Sequence, residues 1–217
     1  MVYKGLSAPS LLDTYTTERL PVIVEMLSVT TGMLNKMRQV RTTESAMERE
    51  KRLNMLGVNY RMSPIAVDEF THAEPVDAYR VLNEGELVAG DRAPDAPGLL
   101  VAATEEATRL FDIFRATYHT VLVFTSDAST TTGILEVLRK YPGDAIRLVT
   151  VLPQGSEGAT VGQVDAVQVV DQGGHAYQAY LAVKDEQRVV VVRPDGVAGA
   201  IVHGAEGVQG YFDKIFL

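Results

Sequence analysis

Short runs of apolar, mostly branched residues at 121–124, 146–152 and 189–192, with a further candidate at 164–170, alternate with stretches of helical period. A run of this length between polar or turn residues suits a strand buried on both faces. The stretch 130–141 places Ile134, Leu135, Val137 and Leu138 on one side of a helix. A second helix is expected over 175–183, with Tyr177, Tyr180 and Leu181, and a third over 208–216, with Tyr211, Phe212, Ile215 and Phe216. Between the second and third lies Arg193-Pro-Asp-Gly196, then a returning strand over 197–202. Pro194 pre-sets the first central angle of a tight turn, and Gly196 tolerates a positive one.

The order is strand–helix–strand, then helix–strand–turn–strand–helix. The first unit requires parallel strands and a right-handed crossover. The second contains an antiparallel hairpin. The fold expected over residues 99–217 is therefore α/β, a thioredoxin-like mixed sheet with helices on both faces.

An N-terminal helical segment precedes it. Leu12, Tyr15, Val22, Ile23, Met26, Leu27, Met33, Leu34 and Met37 recur at three- and four-residue steps over residues 10–57. Ser10 and Asp13 suit a helix start, because each can accept from free N–H groups of the first turn. Pro21 lacks an N–H and is expected to kink this helix or to begin a second one. The charged run with Glu44, Glu48, Glu50, Lys51 and Arg52 reads as a solvated face. An apolar helical stripe needs something to lie against. The second region, another copy of the chain and a further domain all remain open. Residues 58–98, punctuated by Pro64, Pro75, Pro94 and Pro97, read as an extended connection wrapping along the surface.

With 46% hydrophobic and 22% charged residues, the 217-residue chain can build a packed core. Its formal net charge of -8 argues against a basic nucleic-acid footprint. It has no cysteine, which excludes disulfides, thiolate metal sites and thiol nucleophiles over these residues. No run approaches the roughly 18–20 apolar residues of a membrane helix. The expectation is a cytoplasmic protein with neither nucleic-acid nor membrane partners.

Ser10-Leu-Leu-Asp-Thr-Tyr-Thr-Thr-Glu-Arg-Leu-Pro21 resembles the helix that ends the flavin-binding domain of FAD-dependent aromatic-ring hydroxylases. Gly90-Asp-Arg-Ala-Pro-Asp95 resembles the entry to the C-terminal thioredoxin-like domain of the phenol hydroxylase type, and Val192-Arg-Pro-Asp-Gly196 that domain's closing hairpin. Leu56-Gly-Val-Asn-Tyr60, with Ser63 and Pro64, resembles the segment joining the two. In this order and spacing the four stretches span nearly the whole chain. The resemblance implies a C-terminal part: residues 1–57 as the end of a flavin-binding domain, 58–98 as connection, and 99–217 as a dimerisation domain. It further implies a homodimer, or a separate flavin-binding chain as partner, and a family whose cofactor is FAD.

No catalytic, cofactor-binding or metal residue is carried over from the family. Gly155-Ser-Glu-Gly-Ala-Thr-Val-Gly162 lacks the spacing by which glycines bring backbone against a pyrophosphate. Gly90-Asp91 follows the helical region, where the family's ribose-contacting pair precedes it. A redox-active thioredoxin fold would hold its thiol after residue 124, where Thr125-Ser-Asp-Ala-Ser129 stands, and a cis-proline just before residue 189, where Lys184-Asp-Glu-Gln-Arg188 stands. Ser126 or Ser129 with Asp127 suggests a hydroxyl nucleophile only with a histidine in reach, and none is near in sequence, so Ser129 or Asp127 reads as a helix cap. His72, His119, His175 and His203 lack metal-site spacing. Tyr177, Tyr180, Tyr211 and Phe212 read as core or interface aromatics rather than a stacking platform. The expected function is a non-catalytic dimerisation and interaction module, not an enzyme on its own. The alternative is part of an FAD-dependent aromatic monooxygenase that acts only with a separately supplied flavin domain.

Overall fold

The computed structural model describes residues 1–39, 57–72, 77–78, 85–156, 166–184 and 186–217, with side chains of the first helix described through residue 35. A 3-10 turn at Pro9–Leu12 leads into α1 (Asp13–Gln39). Ser10 therefore lies inside that turn, whose N-cap, Ala8, offers no side-chain cap. The helix runs unbroken through Pro21 rather than starting again there. The charged run at 44–52 lies outside the described residues, as does most of the glycine-rich stretch 155–162.

The sheet has eight strands: β1 (Val67–Asp68), β2 (Leu99–Val101), β3 (Ala107–Thr108), β4 (His119–Phe124), β5 (Ile146–Leu152), β6 (Ala166–Asp171), β7 (Arg188–Val192) and β8 (Ala198–Val202). Their spatial order is β1-β8-β7-β4-β5-β6-β2-β3. Strands β4, β5 and β6 are mutually parallel, and β7 runs antiparallel to both β4 and β8. The arrangement β8-β7-β4-β5, with β7 reversed, is the thioredoxin-like core expected from the sequence. Helices α2 (Leu110–Ile113), α3 (Ala128–Leu138), α4 (His175–Ala179) and α5 (Ala205–Phe212) complete the fold.

Strand alternation divides the core. Val121, Val123, Val189 and Val191 face α3 and α5, meeting Ile134, Leu138, Val208, Tyr211 and Phe212. Leu122, Phe124, Val190 and Val192 face the other way, toward Ala176 and Tyr180 of the α4 region. Fully burying each such side chain contributes about 1.5–3 kcal/mol. Helices thus cover both faces. The predicted aromatics are core residues: Tyr180, Tyr211 and Phe212 are fully buried, and Tyr177 is partly buried against the cluster that holds Tyr180.

The connection departs from expectation. It does not simply run over the surface, because Leu87, Ala89, Ala93 and Ala96 join the core on the α4 side. Its short strand β1 adds to the sheet edge parallel to β8. Pairings of two or three residues, as in β1, β2 and β3, leave no periodic signature in sequence.

Candidate functional site

The four stretches that carry the family resemblance are far apart in sequence and meet at one junction. Gly90 is the hub of its backbone. Its carbonyl accepts from Tyr60 N–H at 2.7 Å, and its N–H donates to Ala198 O at 2.7 Å. Arg92 bridges to Val197, and Ala93 N–H donates to Gly196 O at 2.9 Å. The connection is thereby stitched to the hairpin turn.

Side chains complete the junction. Arg61 donates from Nε and Nη2 to the two carboxylate oxygens of Asp91, at 2.7 and 2.9 Å. Asp91 also accepts from Val88 N–H at 2.8 Å. This pair is buried, so the fork geometry and the extra N–H matter: an unpaired charge here would be costly. Beside it, Arg193 donates to Glu18 from Nη1 at 2.6 Å and from Nη2 at 3.0 Å. Ser63 Oγ donates to Glu18 Oε1 at 2.6 Å, and Asp195 accepts from Arg193 Nε and Nη2 at 3.1 and 2.7 Å. Burial works against the Arg193 cation, but the bonds and charges of Glu18 and Asp195 outweigh it and hold its pKa above the ordinary arginine value. Arg19 Nη1 donates to Tyr60 OH at 3.1 Å.

Helix α1 is thus held along one face. Its other face is open. Leu20, Val24, Leu27 and Leu34 are each more than half exposed, and Ile23 is 41% exposed. Val22 is the one fully buried apolar side chain of α1 among the described residues. A run of exposed large apolar groups on a helix is the signature of a contact surface.

The place of a redox thiol is occupied differently. Asp127 caps α3, its Oδ1 accepting from Ser129 N–H at 2.9 Å, and Thr125 Oγ1 accepts from Asp127 N–H at 3.0 Å. The capping read from sequence is therefore present. The bonds from Ser129 hold the Asp127 carboxyl below its usual pKa. Among the described residues no peptide bond is cis. His119 begins β4 and Ser126 follows its end, so roughly 20 Å of strand separates them at about 3.3 Å per residue. They form no hydrolytic pair.

His119 is buried, with Tyr211, Phe212 and Phe216 rings edge-on at centroid distances of 6.0, 5.6 and 6.1 Å. Burial and then the nearby Arg193 charge push its pKa down to about 4, so the ring is neutral. His203 stacks on Phe70, and the His175 ring sits against Gly173. Among the described residues no three His, Asp or Glu side chains gather as a metal site. A cleft of about 540 Å³ between residues 85–97 and α4 contains Asp95, but that carboxylate is already engaged by Arg109 and by Phe111 N–H. Likewise no helix among the described residues is long and apolar enough to cross a membrane.

The described residues form a thioredoxin-like domain without thiols, bearing an anchored helix with an open apolar face. The chain's homologues are flavin-dependent monooxygenases. A flavin-dependent monooxygenase of Mycobacteroides abscessus is 31% identical over 176 residues, covering 79% of this chain and 30% of the relative. Pentachlorophenol 4-monooxygenase of Sphingobium chlorophenolicum is 28% identical over 179 residues, covering 76% of this chain and 30% of the relative. The chain therefore spans less than a third of the length of these relatives. In fold it matches aklavinone-11 hydroxylase, solved with FAD and aklavinone, over 99% of this chain and 37% of that one, with a TM-score of 0.65 and 21% identity. It also matches the flavin-dependent monooxygenase PieE, solved with FAD and substrate, over 98% of this chain and 40% of that one, with a TM-score of 0.59 and 16% identity. No family model matches the chain.

The junction itself was missed from sequence. Most of its residues stand in the quoted stretches, Arg61 excepted, but nothing in linear spacing pairs Glu18 with a residue 175 positions away.

Proposed function

We propose that this chain is a non-catalytic contact module of a flavin-dependent monooxygenase. The open face of α1 packs against a flavin-binding portion, and the thioredoxin-like domain supports pairing of two copies. The carrying observation is the polarity of α1: one face is tied to the domain through Glu18, while Leu20, Ile23, Leu27 and Leu34 point to solvent. The named relatives, which extend well beyond the matched residues, support a flavin-binding portion as the occupant.

The test mixes the purified chain with the part of the Mycobacteroides abscessus relative that it does not match. Size-exclusion chromatography with light scattering is expected to show a complex. It is also expected to show a dimer for this chain alone at high micromolar concentration. A clean monomer removes the pairing claim, and no complex removes the docking claim.

A second reading is that the chain takes part in aromatic hydroxylation once a flavin domain is supplied. The relative named for pentachlorophenol oxidation favours it. An absorbance scan with added FAD separates the two: retained flavin in the isolated chain contradicts a module without cofactor, and phenol turnover only by the mixed complex supports the second reading.

A further inference from the structure

The geometry points to the Glu18–Arg193 pair as an orientation latch, with Arg193 a positioning residue that fixes which face α1 presents outward. At about 100° of turn per residue, Leu20, Ile23, Leu27 and Leu34 lie within roughly 40° of the direction opposite Glu18. Holding Glu18 inward therefore aims these four side chains outward together.

Apolar contact alone would not do this. Val22 is the only fully buried apolar side chain of α1 among the described residues, and apolar burial has no preferred direction. Met26, Val29 and Met33 on the same side are only partly covered, and such non-directional contact lets a helix roll about its axis. A two-pronged guanidinium–carboxylate contact cannot turn without breaking, because both bonds lie in one plane. Each partner is also held by a further group. Ser63 Oγ donates to Glu18, and Asp195 accepts two bonds from Arg193. The prolyl turn at 193–196 places Arg193, and the bond from Arg193 N–H to Val197 O, at 2.8 Å, closes that turn.

Buried ion pairs often add little net stability over a neutral pair of similar volume, yet they select one geometry. The latch is such a case: its role is direction rather than strength. It does not depend on what α1 docks against, so it survives failure of the docking reading.

The chain has no cysteine, so Ser28→Cys on the exposed side of α1 and Glu136→Cys on α3 give two unique spin-label sites. Pulsed electron resonance on the otherwise unchanged protein is expected to give one narrow distance. Arg193→Met is expected to broaden or shift it. The decisive variant is the neutral pair Glu18→Gln/Arg193→Met, which keeps side-chain length and an acceptor for Ser63. It is expected to restore the thermal midpoint while the distance stays broad. A narrow distance at the original position in the neutral pair overturns the latch. So does a broad distance accompanied by loss of the domain's own midpoint, which would mean general loosening. If Arg193→Met fails to fold, the neutral pair alone decides.

Discussion

Gly90 faces the backbone of Arg61 with no room for a Cβ between them, and its φ of 101° lies where side chains are rarely tolerated. Both conditions demand glycine. Gly90→Ala is expected to lose at least about 2 kcal/mol, from backbone strain of about 1–3 kcal/mol plus overlap with the peptide joining Tyr60 to Arg61. Urea unfolding of both proteins measures the difference. A midpoint unchanged from the parent would mean that the connection moves aside without cost.

Asp91, the next residue, meets a different constraint. Its carboxylate accepts two bonds from the buried Arg61 guanidinium, which has no other acceptor among the described residues, and it also accepts from Val88 N–H. Asp91→Leu leaves a cation buried without compensation, which costs about 3–5 kcal/mol. Removing both charges with Arg61→Met/Asp91→Leu is expected to recover most of that loss. Denaturant midpoints of the three proteins check the order.

Much of this fold was legible because its signals are local. The valine runs of β4, β5 and β7, the Arg193–Gly196 turn and the Asp127 cap each announce themselves within a few residues. Two-residue β1 and β3 do not, since a pairing that short has no period. The depth of the connection was also hidden. Prolines suggested a surface path, but Ala93 and Ala96 are small enough to pass through the core. Glu18, Asp91 and Arg193 lay in plain view as motif residues and Arg61 beside one, yet the pairs Arg61 with Asp91 and Arg193 with Glu18 form only when the chain folds back over long distances. The open face of α1 was legible as a stripe. That it would remain uncovered was not.

The neutral imidazole of His119 gives the protein a pH dependence with a definite sign. In the unfolded chain this histidine titrates near 6.5, whereas in the fold its pKa is about 4 because burial, and then the Arg193 charge, oppose protonation. The unfolded chain thus binds the extra proton first as pH falls. Stability from this residue is complete above pH 6.5 and is lost between there and about pH 4, amounting to about 3 kcal/mol. His119→Phe, which keeps a ring among Tyr211, Phe212 and Phe216, is expected to flatten that window. Thermal midpoints at half-unit steps from pH 4 to 8 test it. The depressed carboxyl of Asp95 acts only below its ordinary range, so it does not mimic the effect.

Ile23 and Leu27 stand on the open side of α1, one turn apart, 41% and 55% exposed. Their replacement should separate association from folding. Ile23→Asp/Leu27→Asp removes no buried contact, so the folded chain is expected to change by no more than about 1 kcal/mol, mostly from helix propensity. Docking is another matter. Burying each side chain against a partner contributes about 1.5–3 kcal/mol, and the aspartates add charges that would need solvent. Affinity for a flavin-binding portion is therefore expected to fall by at least about 100-fold, from about 3 kcal/mol lost over two side chains. Titration calorimetry of the parent and the double variant against the same partner gives that ratio, and circular dichroism of the free chains gives the stability control. Equal affinity for both proteins would show that the partner engages a surface other than this helix face.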